Sequence, residues 1–189
     1  MPKTLLRKQL RQLRQVLTAQ EQSMASQHLA NQLAQLPWLS SCQHIGLYYP
    51  SDGEISPLSF VAEHPNKQFY LSSLSTTEKR ALCFHPWGLT SAIRYNSLNV
   101  AEPAEQEKTR SILALDMLLM PLVGFDNQGQ RLGMGGGFYD YSLRHAAQAE
   151  ARPYLVGVAH ACQEVDSLPI EPWDVPLDAV VTDQKIVIF

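Results

Sequence analysis

DMLLMPLVGFDNQGQRLGMGGGFYD, residues 116–140, joins the strongest strand pattern of the chain to its densest cluster of glycines. Asp116 to Phe125 reads as one continuous buried strand. NQGQ, Asn127 to Gln130, makes a turn, and a glycine run then leads into a helix of roughly three turns from about Phe138. Six of the ten glycines lie between Gly124 and Gly137. Without a Cβ, glycine lets the backbone approach a ligand closely and take left-handed conformations. Successive N–H groups there form an anion-binding concavity, to which the N-terminal end of a helix adds positive charge. Arg131 brings a bidentate phosphate donor. The segment reads as the phosphate-handling loop of a nucleotide-using enzyme.

Spacing excludes two familiar versions of such a loop. Gly124 and Gly129 have the Walker A separation, but Gln130 and Arg131 stand where Lys and Ser/Thr are required. The dinucleotide fingerprint fails because Phe138 takes the last glycine position of a match begun at Gly133. A tight hairpin with a loosened helix entry is the bland alternative. Four glycines in the five positions from Gly133 to Gly137, flanked by Arg131 and Asp140, argue against it.

Working outward, the remaining segments alternate between helix and strand. Residues 3–17 predict an amphipathic helix with Leu6, Leu10, Leu13 and Leu17 on its apolar stripe, leaving Lys3, Arg7, Lys8, Arg11 and Arg14 on the remaining surface. Thr18 and Glu21 form a capping box that opens a second helix towards Leu36, stopped by Pro37. HIGLYY, His44 to Tyr49, is a strand ending in the loop PSDGEIS. A helix from Pro57 and strands near Gln68–Leu71 and Leu82–His85 follow. Thr90 to Arg110 reads mainly as loop, and YLVGVAH, DAVVTD and IVIF as closing strands. The order predicts a single α/β domain over residues 1–189, a largely parallel sheet flanked by helices.

Composition sets the bounds. The 189 residues are 45% hydrophobic and 17% charged, with a net charge of -3, so no global polycation argues for nucleic acid. Cys42, Cys83 and Cys162 are far apart and in no CxxC pair, which supports neither a disulfide framework nor a zinc site. His160 and Cys162 lie two apart without a second ligand pair, and the serines lack a nucleophile-elbow context. No apolar run reaches membrane-span length, and the opening residues lack the apolar core of a secretory signal. The expected protein is cytoplasmic, without membrane or nucleic-acid partners, and monomeric.

RLGMGGGFYD, Arg131–Asp140, preceded by MPLVGFDNQGQ, resembles the signature of the 5-formyltetrahydrofolate cyclo-ligase family, also called 5,10-methenyltetrahydrofolate synthetases. The resemblance extends to KTLLR at Lys3–Arg7, YPSDGEIS with Glu54, AEP at Glu102 and Pro103, and DVPLDAVVTD at Asp174–Asp183. It implies a fold of the NagB/RpiA/CoA-transferase type and MgATP-dependent conversion of 5-formyltetrahydrofolate to 5,10-methenyltetrahydrofolate. The reaction it implies runs through an N5-iminium phosphate and releases ADP and phosphate. On the matching positions it further implies ATP contacts from Lys3, Arg7, Arg131, Leu132, Gly133, Met134, Gly135, Gly136, Gly137, Phe138 and Tyr139. Tyr49 and Glu54, with Met134 to Phe138, would meet the folate. Asp140 and Asp178 would hold Mg²⁺, and Arg131 and Asp140 would act in catalysis. Trp173, Ser72 and Met134 depart from residues common in the family.

Residue types alone leave other readings open. The basic helix face is equally a solvated surface, or an RNA-binding patch. Asp140 is equally helix charge compensation, Asp178 a turn acid, and Glu54 a loop acid beside Asp52 and Gly53. A sugar-phosphate isomerase or a CoA transferase would also use a glycine loop for an anionic substrate.

Overall fold

The computed structural model describes residues 2–106, 108–145, 149, 151–169, 171 and 174–189. Helix α1 covers Lys3–Gln15 and α2 covers Ala19–Leu33. The Thr18 side chain accepts from Glu21 N–H and the Glu21 carboxylate accepts from Thr18 N–H, so the capping box forms. Strand β1 is His44–Leu47, α3 is Leu58–Glu63, β2 is Gln68–Leu74 and β3 is Leu82–Pro86. A hairpin of β4 (Ile93–Tyr95) and β5 (Ala101–Pro103) precedes β6 (Met117–Pro121). A second, small hairpin pairs β7 (Gly124–Phe125) with β8 (Arg131–Leu132). Helix α4 is Phe138–Leu143, and β9 (Tyr154–Ala159), β10 (Ala179–Thr182) and β11 (Ile186–Ile188) complete the chain.

The main sheet has seven strands in the order β11-β10-β9-β6-β1-β2-β3. Its five inner strands are parallel, and β3 and β11 close the edges antiparallel. Helices α2 and α3 cover one face, where Leu29, Leu33, Ile45, Leu47, Phe60 and Val156 are buried together. Tyr70, Phe84, Leu118, Phe125, Leu143 and Val180 fill the other face. The expected single α/β domain with helices on both faces is the architecture found.

Three local expectations fail for physical reasons. The run from Asp116 to Phe125 is not one strand. Pro121 has no N–H to donate, and after Leu122 N–H bonds Val158 O the chain leaves the sheet to pair with β8. Residues Thr90 to Arg110 hold the β4–β5 hairpin, because Glu102 inside it is a buried anchor that polarity alone disguised. Helix α4 has six residues, fewer than about two turns, so a helix dipole contributes little to anion binding there.

The leucine stripe of α1 is also differently turned. Leu10 is buried, but Leu13 is 46% exposed while Arg14 is fully covered. Leu6 packs inward beside Leu10 as the stripe predicts, and Lys3, Arg7 and Arg14, at spacings that share their side of the helix, are partly or wholly covered with them. Arg14 is accepted there because Asp52 supplies a carboxylate and Leu122 a carbonyl. Of the basic residues of α1, Arg14 is thus buried and Lys3, Arg7 and Arg11 are partly covered, while Lys8 stays exposed.

The chain's path sets the location of the site. From β1 the next two strands are added on one side, while β6 and its successors are added on the other. The crevice beyond β1 and β6 is thus the topological switch point, where open α/β sheets receive ligands. Pairing between β1 and β6 stops at Gly46 and Leu118, so the strands part below that crevice.

Candidate functional site

A cavity of about 570 Å³ opens at this switch point. Its floor comes from the ends of the parallel strands: Tyr48 and Tyr49 after β1, Ser72 to Leu74 in β2, and Met120 to Leu122 at β6. Lys3 and Arg7 of α1 and all ten residues Arg131 to Asp140 form one wall, and Glu54 stands on the β1 loop opposite. Every expected site residue except Asp178 lines this one cavity.

At the glycine-rich end, Arg7 Nε donates to Gly133 O at 2.7 Å. Its guanidinium also lies against Gly135, where a Cβ would stand 3.5 Å from Arg7 Cζ. Gly135 has φ +97°, which side chains rarely adopt. Lys3 Nζ bonds Glu171 Oε1 at 3.2 Å at the rim. Residues 133–137 are exposed, and Lys3 and Arg7 line the same cavity, a setting that suits a polyphosphate.

Arg131 lines the cavity beside Asp140. Its two terminal nitrogens bond Val175 O and the Asp140 carboxylate, so it orients Asp140 rather than projecting freely at a phosphate. Asp140 remains one-third exposed to the cavity. Asp178 is not brought to Asp140. It sits at the start of β10, with its two oxygens held by Arg152 at 2.6 and 2.7 Å and one of them also accepting Leu155 N–H. Its carboxylate ties β9 to β10. Among the described residues, no cluster of three metal-ligating side chains occurs. Trp173 lies outside the described residues.

At the other end Glu54 is almost enclosed. Its Oε2 accepts from Ser51 N–H at 3.1 Å and from Ser51 Oγ at 3.3 Å. Burial pushes its carboxyl above the ordinary range, against the opposing pull of Arg14. Burial, with the Glu54 charge adding, also raises the Tyr139 and Tyr48 phenols well above 10. Tyr49 lies edge-on to Trp87 with centroids 6.1 Å apart, offering its own ring to the cavity while Trp87 packs beneath. Met134 is 53% exposed on the opposite lip, where an apolar side chain can meet a ligand ring.

Several wall residues escaped sequence reasoning. Leu98 and Val100 come from the β4–β5 hairpin, which is clipped to β2 by Glu102 accepting Leu74 N–H at 2.7 Å and Asn96 Nδ2 at 2.8 Å. The AEP block held the signal, since a lone acid between apolar residues in a strand is a candidate buried anchor. Asp52, Glu171 and Asp174 also line the cavity, and nothing in their local sequence distinguishes them from surface acids. His160 is buried with Nε2 3.2 Å from Gly53 O, a packing role like the one its isolation suggested.

Comparison with known proteins converges on one group. A sequence model described as the 5-formyltetrahydrofolate cyclo-ligase family matches residues 1–183. The 5-formyltetrahydrofolate cyclo-ligase of Escherichia coli (strain K12) is 36% identical over 180 residues, covering 94% of this chain and 98% of its own. That of Haemophilus influenzae is 37% identical over 175 residues, covering 91% and 92%. The NMR structure of Aquifex aeolicus 5,10-methenyltetrahydrofolate synthetase is similar with a TM-score of 0.83 and 27% identity, covering 100% of this chain and 93% of that one. A 5,10-methenyltetrahydrofolate synthetase from Mycoplasma pneumoniae gives 0.73 and 27%, covering 97% and 100%. No helix among the described residues is long and apolar enough to cross a membrane.

Proposed function

This chain belongs to the 5-formyltetrahydrofolate cyclo-ligase family, and we propose that its cavity holds MgATP and 5-formyltetrahydrofolate together and closes the folate to its 5,10-methenyl form. The observation that carries this reading is a single cavity lined by two chemically distinct sets of residues. Lys3, Arg7 and the exposed loop backbone suit a triphosphate, while Glu54, Tyr49 and Met134 suit a flat, hydrogen-bonding pterin.

The chemistry explains why one cavity must serve both. A formamide carbon is a weak electrophile and its oxygen a poor leaving group. Attack of the formyl oxygen on the γ-phosphorus breaks the bond to ADP and leaves an N5-iminium phosphate. N10 then attacks the formyl carbon and loses its proton, and the carbon–oxygen bond breaks to release phosphate. These steps call for positioning and charge stabilisation rather than for a protein nucleophile. Lys3 and Arg7 neutralise the phosphates, and Glu54 accepts hydrogen bonds from the pterin amino group and ring N–H.

Asp140, held by Arg131, fits an Mg²⁺ that keeps most of its ligands as phosphate oxygens and water, and the ion would stabilise charge on the transferred phosphoryl group. With no cluster of three metal-ligating side chains among the described residues, a nucleotide-borne ion suits this cavity better than an all-protein cage. The near-ultraviolet absorbance of the methenyl product, followed with and without ATP, tests the reading. ATP-dependent formation of that absorbance is expected, and its absence with both substrates and Mg²⁺ present rejects the proposal.

A further inference from the structure

The loop that carries Glu54 is shaped from below by α1, the same helix that offers Lys3 and Arg7 to the other end of the cavity. Arg14 is completely buried, and its guanidinium faces two carboxylates. Nη2 is 2.9 Å from Asp52 Oδ2 but 3.7 Å from Glu54 Oε1. Nε donates to Asp52 O at 2.9 Å and Nη1 to Leu122 O at 3.1 Å. Asp52 is further gripped by Arg11, through Nε at 2.7 Å and Nη2 at 3.0 Å, and by the Gln15 amide.

The backbone bends to make this meeting. Asp52 and Gly53 take successive left-handed conformations, with φ of 52° and 73°. A side chain on Gly53 would bring its Cβ to 3.0 Å from Arg14 O. Gly53 O accepts from Gln22 Nε2 at 3.2 Å. Glu54 closes the turn as well, its N–H donating to Ser51 O at 2.9 Å and its Oε2 accepting from Ser51, which leaves Oε1 just beyond hydrogen-bond reach of Arg14.

We propose that Asp52 is a positioning residue for the folate end: as the counter-ion of Arg14 it keeps that guanidinium from closing on Glu54, the carboxylate the substrate must reach. The inference rests on the role given to Glu54 above. A buried cation stripped of its nearest anion is strongly driven towards the next. Here a movement of about 1 Å would bring Arg14 and Glu54 to charge-assisted hydrogen-bond distance. Glu54 would then be engaged from below and drawn away from the cavity. Nothing in this exchange touches Lys3 or Arg7, so the nucleotide end is left intact.

Steady-state kinetics with both substrates varied test this. Wild-type turnover comes first, and its absence overturns the functional reading rather than the role of Asp52. Asp52→Asn is expected to raise the KM for 5-formyltetrahydrofolate about tenfold while that for ATP stays within about twofold. The double variant Arg14→Gln/Asp52→Asn removes the buried cation nearest Glu54 and returns the folate KM to within about threefold of wild type. Arg11→Gln, which keeps Arg14 paired with Asp52, stays within about twofold. A double variant still raised about tenfold overturns the proposal, as does Arg11→Gln matching Asp52→Asn. The outcome for the double variant remains decisive if Asp52→Asn alone does not fold.

Discussion

Gly135→Ala separates backbone demand from steric crowding in the glycine loop. Gly135 has φ +97°, away from the left-handed well near +57° that L residues occasionally enter. The added methyl would stand 3.5 Å from Arg7 Cζ, an ordinary contact, so crowding costs little. Holding an L residue at such a φ costs about 2 kcal/mol. For a domain of this size that lowers the melting midpoint by about 4–8 °C. Gly133→Ala is the control, because a Cβ there meets nothing within 4 Å and its φ is not left-handed. Calorimetric melting without substrates should therefore leave Gly133→Ala near wild type and shift Gly135→Ala by the amount given. Since Arg7 Nε is anchored on Gly133 O, relief of the strain by movement of the loop also disturbs Arg7. The full cost appearing in binding would raise the KM for ATP at most about thirtyfold. Equal melting losses in the two variants, or a Gly135→Ala midpoint within about 1 °C of wild type, refute the backbone argument.

Asp140→Ala should reduce turnover by at least about a hundredfold while the protein stays folded, measured by product absorbance beside circular dichroism, because its carboxylate faces the cavity from an ion pair with Arg131. Lys3→Ala should raise the KM for ATP about tenfold with the melting midpoint unchanged, since the rim pair with Glu171 is partly exposed and contributes under about 1 kcal/mol. The Arg11 and Arg14 guanidiniums hold the Asp52 carboxyl down to about 2 from 3.8. A depressed carboxyl stabilises the fold above its unfolded pKa, and this contribution disappears as pH falls through the folded value. After discounting for solvent screening it amounts to about 1 kcal/mol. The difference in urea stability between wild type and Asp52→Asn should therefore shrink between pH 4 and pH 2, and a difference that stays constant there contradicts the linkage.

How much could be read in advance differs between elements. The capping box at Thr18, the run His44–Tyr49 and the glycine cluster are local signals, in which neighbours along the chain supply the partners. The capping box forms, the strand appears over His44–Leu47, and the glycine cluster leads into a helix of six residues. Asp178 shows the opposite case. Its sequence neighbourhood matched a ligand position, yet its oxygens face Arg152 and Leu155 N–H, partners brought by another strand. Arg131 looked like a free phosphate donor until Val175 and Asp140 came within reach of it.

The sequence by itself determined the alternating α/β order and the glycine loop at residues 133–137, which depend on residue type and spacing that the chain carries along its length. Lys3, Arg7, Glu54 and Asp140 were marked by the family resemblance of their motifs, and it is the fold that brings them to one cavity. The tertiary structure alone decided that α1 turns Arg14 inward and leaves Leu13 outside, that β6 breaks at Pro121, and that β1 and β6 part to open the crevice. It also decided which carboxylate answers which cation. A buried charge takes whatever opposite charge the fold brings nearest, and for Arg14 that is Asp52, 38 residues away along the chain.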